Sequence, residues 1–139
     1  VFCDLDPVAE KHQVRLIQTD GDCTVTGSYI LLYRAVYNLV ENAIKYNRPS
    51  GSVTVSIHTA ESAVLEVTDT GIGISPENQE KIFDPFYRVD KSRSRAMGGA
   101  GLGLALVSEI ARQHNGQVKV TQSSEKGSTI ALMLPVTLL

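Results

Sequence analysis

The sequence predicts an α+β fold: a two-layer α/β sandwich in which helices cover one face of a mixed, largely antiparallel sheet. Two observations support this prediction. Strand-like runs occur in adjacent pairs, each joined by a short polar turn, which is typical of antiparallel hairpins. Amphipathic segments with a helical period lie between these pairs, so single crossover helices do not separate the strands. A doubly wound parallel sheet, which needs such crossovers, therefore fits poorly.

Three hairpins are predicted from the alternation of apolar and polar residues and from the turns between the strands. In the first, Val14 to Thr19 and Cys23 to Thr26 flank an Asp-Gly-Asp turn centred on Gly21. The other two pair residues 53–58 with 63–68 and residues 117–123 with 128–134.

Helices are predicted around these strands. Ser28 is a suitable N-cap for a helix from about Tyr29 to Tyr46, whose apolar residues recur with a 3.6-residue period. Residues 84–101 show no period and contain three arginines, a lysine and a glycine cluster, which indicates a functional lid or a disordered loop. Three other helical segments are expected: one that ends near residue 12, a short one that begins at Ser75-Pro76, and 102–114 before Asn-Gly.

Size and charge limit the classes of function. The chain of 139 residues can form one domain, and we expect it to be a fragment of a longer protein. Its formal net charge of -2 gives no indication of a basic surface for nucleic acid. No run approaches the ~18 apolar residues of a membrane span, and no signal peptide is evident. Cys3 and Cys23 lack metal-type spacing, which indicates free thiols in a reducing cytoplasm.

Polar residues share one face of the predicted helix 29–46. Asn38, Asn42 and Lys45 are spaced i, i+4 and i+7, and Glu41 lies on the same side. This face is either the solvated side of an amphipathic helix or a site for a hard cation and phosphates. Amide and carboxylate oxygens suit Mg²⁺, which shares its ligand shell with waters and substrate phosphates, and a lysine one turn away adds a positive charge.

A carboxylate and two glycines follow the predicted strand 63–68. In Asp69-Thr-Gly-Ile-Gly-Ile74, the glycines either supply positive φ angles to a turn or let a flat ligand approach the backbone. Asp69 can accept a hydrogen bond from an exocyclic amine such as that of adenine. The segment is not an EF-hand calcium loop, because glycines occupy the positions of its second and third oxygen ligands.

A glycine-rich segment, residues 98–104, leads into the helix 102–114. Glycine amides before a helix N-terminus form a cradle for anions, although a flexible hinge would have the same composition. A P-loop is excluded because leucines follow Gly101 and Gly103. A dinucleotide-binding fingerprint starting at Gly99 is excluded because its last glycine would fall at Leu104.

Taken in order, these segments resemble the catalytic ATP-binding domain of sensor histidine kinases, in the superfamily shared with the gyrase, Hsp90 and MutL ATPases. Residues 38–46 resemble the N box of that family, 69–73 its first glycine box, 83–91 its F box, 99–104 its second glycine box and 127–129 its third. The resemblance runs from about Val14 to Pro135. It implies a Bergerat-type fold, with residues 1–139 as a single catalytic domain and an ATP lid at about 84–101.

The resemblance also implies residues for the phosphate end of a bound ATP. Asn38 and Asn42 would hold Mg²⁺, and together with Glu41 and Lys45 they form the candidate catalytic set. Lys45 would contact phosphate oxygens directly. Candidates for contact with the γ-phosphate are Arg88, Lys91 and Arg93.

At the adenine end, the resemblance implies that Asp69 bonds the exocyclic amine and that the Thr129 hydroxyl supports Asp69. Tyr46 would flank the sugar or the base, and Gly71, Gly73 and Ile74 would shape the adenine slot. The remaining residues expected to contact ATP are Gly99, Gly101, Leu102, Gly103 and Leu104.

The acceptor histidine is expected outside this chain. His12, His58 and His114 lack the His-Glu/Asp-x-x-x-Pro context of the family's phosphoacceptor site. The resemblance therefore implies two partners: a dimerisation and phosphoacceptor domain of the same protein, and a downstream response regulator. Contact with nucleic acid or with a membrane is not expected of this chain. We expect a cytoplasmic domain whose parent protein is a bacterial inner-membrane sensor.

Three alternatives remain open on the sequence alone. A gyrase-type ATP hydrolase has a glutamate at the place of Asn38, and an amide cannot act as a base, although Glu41 could assist. The anti-sigma-factor serine kinases share the fold, and the F-box-like segment favours the histidine kinases over them. The third alternative is a scaffold that senses ATP without chemistry, and the complete Mg²⁺ helix argues against it.

Overall fold

The computed structural model describes residues 2–19, 21, 23–85 and 103–136. None of the described helices is both long enough and apolar enough to cross a membrane. The helices are α1 (Phe2–Lys11), α2 (Tyr29–Lys45) and α3 (Gly103–Gln113), and two single 3-10 turns span Pro76–Asn78 and Lys81–Phe83. The strands are β1 (Arg15–Gln18), β2 (Ser52–Thr59), β3 (Ser62–Asp69), β4 (Gln117–Ser124) and β5 (Gly127–Pro135).

The five described strands form one sheet in the order β1-β2-β3-β5-β4. β1 and β2 are parallel, whereas β2 with β3, β3 with β5, and β4 with β5 are antiparallel. The hairpins β2–β3 and β4–β5 are the second and third hairpins expected from the sequence. The predicted mixed, largely antiparallel sheet is therefore confirmed.

The first predicted hairpin is wrong. β1 pairs in parallel with β2, with Arg15 opposite Ser52, and residues 23–26 form no strand. Gly21 lies against the backbone of β2, where a Cβ would overlap the carbonyl oxygen of Ile57, so the chain continues alongside β2 and does not turn back along β1. Of residues 23–26, Val25 is half-buried and the other three are exposed, so this segment buries little apolar surface.

Helices α2 and α3 pack against each other on one face of the sheet, and α1 packs against α2. The buried side of α2 follows the predicted helical period and meets alternate residues of β2, β3 and β5. Fully burying each large apolar side chain there contributes about 1.5–3 kcal/mol. The buried residues of these four elements include Ala35, Leu39, Val40, Ala43, Ile44, Val53, Val55, Val67, Ile130 and Leu132.

The start of α2 is joined to the end of α3. The predicted N-cap is present, because the Ser28 hydroxyl accepts a hydrogen bond from Leu31 N at 3.3 Å. Ser28 N in turn donates to Nε2 of His114 at 3.1 Å, and Nδ1 of His114 lies 2.8 Å from the Ile110 carbonyl oxygen. These partners require the neutral imidazole with its proton on Nδ1. His114 therefore has a structural role in joining the two helices.

Asn115 and Gly116 close α3 after its last residue, Gln113, as the sequence predicts. The residue with the left-handed conformation is Asn115, with a φ of 61°, and Gly116 N donates to the Ala111 carbonyl oxygen at 2.8 Å. Asn115 N donates to the Arg112 carbonyl oxygen at 3.1 Å, which completes a Schellman motif.

The helix predicted at Ser75-Pro76 is a single 3-10 turn. Pro76 occupies its first position, as expected, but the Ser75 hydroxyl makes no capping bond to the backbone. It accepts instead from Nδ2 of Asn78 at 2.7 Å.

Replacing Gly127 with Ala should destabilise the fold strongly. Gly127 has a φ of +134°, and a Cβ there would overlap the Asp69 carbonyl oxygen and lie 2.9 Å from Thr70 Cα. We expect the free energy of unfolding in urea to fall by about 2–3 kcal/mol, because both the strained backbone and the overlap must be accommodated. Gly103→Ala is the matched control, since no described atom lies within 4 Å of a Cβ at Gly103. Equal stability of the two variants would contradict this assignment.

Candidate functional site

The polar face predicted on α2 is present. Asn38, Glu41, Asn42 and Lys45 are all half-buried and lie along one side of the helix, from its middle to its last residue. Lys45 Nζ lies 3.6 Å from Glu41 Oε1, in an i, i+4 ion pair. This face thus presents two carboxamides beside an ammonium group that is paired with one carboxylate.

The same face contacts the start of α3. Nδ2 of Asn38 donates to the carbonyl oxygen of Gly103, the first residue of α3, at 3.4 Å. Because the amide nitrogen of Asn38 is directed at Gly103, its amide oxygen is the atom left for a cation. No described residue bonds the carboxamide of Asn42. Two carboxamide oxygens on one helix face are a donor set that fits Mg²⁺.

Asp69 ends β3 on the face of the sheet that carries the helices, the same face as the buried Val67. Its Oδ1 accepts hydrogen bonds from Gly71 N at 2.9 Å and from Ser128 N at 3.2 Å, and its Oδ2 accepts one from Ser128 Oγ at 3.2 Å. Burial raises the pKa of the Asp69 carboxyl, and the three hydrogen bonds offset this in part. Oδ2 retains a lone pair for a further donor.

The residue that supports Asp69 is Ser128 and not Thr129, so the expectation for Thr129 is wrong. The Thr129 hydroxyl lies 3.0 Å from the Thr68 hydroxyl, on the opposite face of the sheet from Asp69. The two threonines line a cleft of about 600 Å³ beside the β4–β5 turn, and Asp69 and Ser128 also contribute to its lining. The alternation of side chains along the strand could have identified Ser128, because Ser128 lies two residues before the buried Ile130 and therefore shares its face.

The glycines after Asp69 are needed for close packing of the chain on itself. Gly71 is buried, and a Cβ there would lie 2.5 Å from the Tyr46 carbonyl oxygen. Gly73 has a φ of +79°, and a Cβ there would overlap the Ser124 carbonyl oxygen. The space that a Cβ would need at either glycine is thus occupied by backbone, and the expected contacts of Gly71, Gly73 and Ile74 with adenine stay predictions.

The loop after Asp69 is held by contacts with β4 and with the hydrophobic core. Ile74 N donates to the Ser123 hydroxyl at 2.6 Å, which fixes the loop on β4, and the side chain of Ile74 packs against the core.

Tyr46 is the C-cap of α2, and its N donates to the Asn42 carbonyl oxygen at 3.1 Å. Leu104 also packs against the core, at the start of α3.

Most of the predicted lid lies outside the described residues. Of the range 84–101, the structure describes Asp84 and Pro85. The predicted contacts of Arg88, Lys91, Arg93, Gly99, Gly101 and Leu102 therefore also lie outside the described residues.

Residues 27–138 match the family model described as histidine kinase-, DNA gyrase B-, and HSP90-like ATPase. The chain belongs to this family. The matched range contains α2, Asp69 and Ser128, and the match confirms the resemblance that the sequence motifs indicated.

Two relatives of this chain are named as sensor histidine kinases. Sensor-like histidine kinase SenX3 of Mycobacterium tuberculosis is 46% identical over 123 residues, which cover 86% of this chain and 30% of that protein. Sensor histidine kinase WalK of Bacillus subtilis is 46% identical over 140 aligned residues, which cover 97% of this chain and 23% of that protein. The chain therefore spans less than a third of the length of these relatives.

A solved structure has the same fold. The mycobacterial sensor histidine kinase MprB superposes with a TM-score of 0.82 at 30% identity, covering 99% of this chain and 92% of that one. This superposition confirms the predicted α+β fold as that of a histidine kinase catalytic domain.

Proposed function

We propose that this chain binds ATP together with Mg²⁺ and supplies the γ-phosphoryl group to a histidine outside it, as the catalytic part of a sensor histidine kinase. The observation that carries the proposal is the placement of Asp69 beside the end of α2. Gly71, two residues after Asp69, packs against the Tyr46 carbonyl oxygen, directly after the helix that presents Asn38, Asn42 and Lys45. The proposed purine acceptor and the proposed phosphate site thus belong to adjoining elements, in a chain of an ATPase family.

At the base end, Oδ2 of Asp69 accepts the exocyclic amine of adenine in our proposal. Ser128 supports this geometry, because its N and its hydroxyl bond the two carboxylate oxygens and so fix the plane of the group. A carboxylate oxygen can accept the 6-amino group of adenine but would repel the 6-oxo group of guanine. Adenine nucleotides are therefore the expected ligands.

At the phosphate end, Asn38 and Asn42 hold Mg²⁺ in our proposal, and Lys45 contacts phosphate oxygens. The cation, when bound, neutralises charge on the triphosphate. The ion pair with Glu41 supports Lys45 by holding its ammonium group over the same helix face. Residues 84–101 are proposed as the lid, with Arg88, Lys91 and the glycines at 99 and 101 near the phosphates.

Phosphoryl transfer is favoured over hydrolysis by the chemistry of the helix face. Asn38 is an amide, which cannot take a proton from water, and its nitrogen is bonded to Gly103. Glu41 is the one carboxylate of the four-residue face, and it is paired with Lys45. The proposed acceptor lies in a dimerisation and phosphoacceptor domain of the longer protein, and the proposed recipient after it is a response regulator. The parent protein is proposed to be an inner-membrane sensor with this part in the cytoplasm.

The proposal is tested by mixing this chain with the separately produced phosphoacceptor domain, ATP labelled at the γ-phosphate, and Mg²⁺. We expect acid-labile label on the acceptor domain and none on a matched domain with its histidine replaced by glutamine. Label released mainly as free phosphate would replace the kinase assignment with a hydrolase. Nucleotide binding without any transfer would leave a scaffold.

A further inference from the structure

Asn47, the residue after the C-cap of α2, is a buried polar side chain that the sequence reasoning missed. It is 7% exposed. Its Nδ2 donates to the Ser52 carbonyl oxygen at 2.8 Å, at the start of β2. Its Oδ1 accepts from Arg48 N at 2.8 Å and from the Thr70 hydroxyl at 2.9 Å. Asn47 thus ties the end of α2 both to β2 and to the loop after β3.

Thr70 completes this network from the other side. Its hydroxyl donates to Asn47 Oδ1 and accepts from Ser52 N at 2.9 Å, so one oxygen connects three segments. A Cβ at Gly51 would lie 2.5 Å from that hydroxyl oxygen, so the backbone at Gly51 packs directly against Thr70, although Thr70 itself is exposed. Arg48 extends the network, because its Nη2 donates to the Glu125 carbonyl oxygen at 2.6 Å in the β4–β5 turn.

This network lies between the two halves of the candidate nucleotide site. Thr70 directly follows Asp69, and Asn47 lies two residues after Lys45. The contact of Gly71 with the Tyr46 carbonyl oxygen runs beside the bond between Thr70 and Asn47. We propose that Thr70 is a positioning residue: through Asn47, its hydroxyl fixes the spacing between the adenine-binding carboxylate and the phosphate-binding face of α2. This inference rests on the proposed function.

A ligand that contacts both halves of the site depends on the spacing between them, whereas a ligand that contacts only one half does not. When two sites are held at a fixed separation, binding at the first raises the effective concentration of the second group at its own site. Loosening the connection lowers that gain without removing either set of contacts. The loss should therefore fall on ATP and should largely spare adenosine, which engages the Asp69 half alone.

The test compares Thr70→Val, which has the same shape without the hydroxyl, with Thr70→Ser, which keeps the hydroxyl. Calorimetric titration would measure the affinities of each variant and of the parental chain for a non-hydrolysable ATP analogue with Mg²⁺ and for adenosine. We expect Thr70→Val to lose about tenfold in affinity for the ATP analogue, the size of one lost hydrogen bond. Its affinity for adenosine should fall by less than about threefold, and Thr70→Ser should bind both ligands like the parental chain.

Each other outcome overturns a defined part of this inference. Affinity for the ATP analogue within about twofold of the parental chain in Thr70→Val would show that the hydroxyl sets no spacing. Equal losses for the ATP analogue and for adenosine would place Thr70 in the adenine half alone. If the parental chain binds neither ligand, the proposed function fails and the inference fails with it. If the parental chain binds both ligands, the proposed function stands, and the variants then test the inference about Thr70 alone. Thermal unfolding of each variant shows whether a loss of affinity is a loss of fold.

Discussion

Replacing Asn42 with Ala is expected to reduce phosphoryl transfer by on the order of a hundredfold or more, because the variant loses a carboxamide oxygen where charge must be stabilised. Asn42 lies on the half-buried polar face of α2, between Asn38 and Lys45. Alanine is a strong helix former, so α2 should be retained. The measurement is the initial rate of label transfer from ATP to the phosphoacceptor domain, together with ATP affinity over a range of Mg²⁺ concentrations.

The matched control for Asn42→Ala is Gln18→Ala, which removes an exposed amide from the edge strand β1. We expect this control to transfer phosphate at the parental rate. The dependence on Mg²⁺ carries the specific prediction: the affinity of the Asn42→Ala variant for ATP should respond weakly to added Mg²⁺. An affinity that rises with Mg²⁺ as steeply as in the parental chain would contradict a role for Asn42 in holding the cation.

Replacing Asp69 with Asn is expected to lower the affinity for adenine nucleotides by on the order of a hundredfold. Gly71 N and Ser128 N both donate to Oδ1, so the amide oxygen of the variant must take that position. The amide nitrogen of the variant then occupies the place of Oδ2. There its N–H groups face the exocyclic amine of adenine, which is also a donor, so no hydrogen bond forms. A 6-oxopurine nucleotide offers an acceptor at that place, so we expect the variant to shift its preference from ATP toward ITP. Unchanged preference in competition titrations would contradict the assignment of Asp69 to the base.

The pKa of Asp69 also predicts whether the Asp69→Asn variant is more or less stable than the parental chain. Burial raises the pKa of the Asp69 carboxyl above its usual value of 3.8, so protonation is easier in the folded than in the unfolded chain. The stabilisation from this group is complete below the unfolded pKa and is lost as the pH rises through the folded pKa. At neutral pH, the ionised carboxylate therefore destabilises the parental fold relative to an uncharged amide.

We therefore expect Asp69→Asn to be at least as stable as the parental chain at pH 7 in urea unfolding. Its advantage should shrink as the pH falls toward the usual aspartate value of 3.8. A variant that loses affinity while keeping its stability separates a binding defect from an unfolding defect. Lower stability of the variant at pH 7 would contradict the dominance of desolvation at Asp69.

Local patterns predicted the parts of the fold that depend on neighbours in sequence. The hairpins β2–β3 and β4–β5 followed from alternation and short turns, and α2 followed from its period and the Ser28 cap. The pairing of β1 was missed because a parallel partner lies at a long sequence separation, after the whole of α2. The Asp-Gly-Asp sequence centred on Gly21 is typical of a turn, but it contains no information about pairing with a strand that is distant in sequence.

The candidate site shows the same division. Asn38, Asn42 and Lys45 share a face because helical spacing alone brings them together. Ser128 was recoverable from strand alternation, because Ile130 marks which face is buried. Asn47 and Thr70 were not, since an amide after a helix and a threonine in a turn are both ordinary there. Their partnership exists only once α2, β2 and the loop after β3 meet.

We propose that Asp69 and the polar face of α2 form one site for ATP and Mg²⁺. Calorimetric titration of the parental chain with a non-hydrolysable ATP analogue, with and without Mg²⁺, tests it most directly. We expect saturable binding of one analogue per chain, strengthened by about tenfold or more with Mg²⁺. A chain that is folded by circular dichroism and binds no analogue under either condition would contradict it.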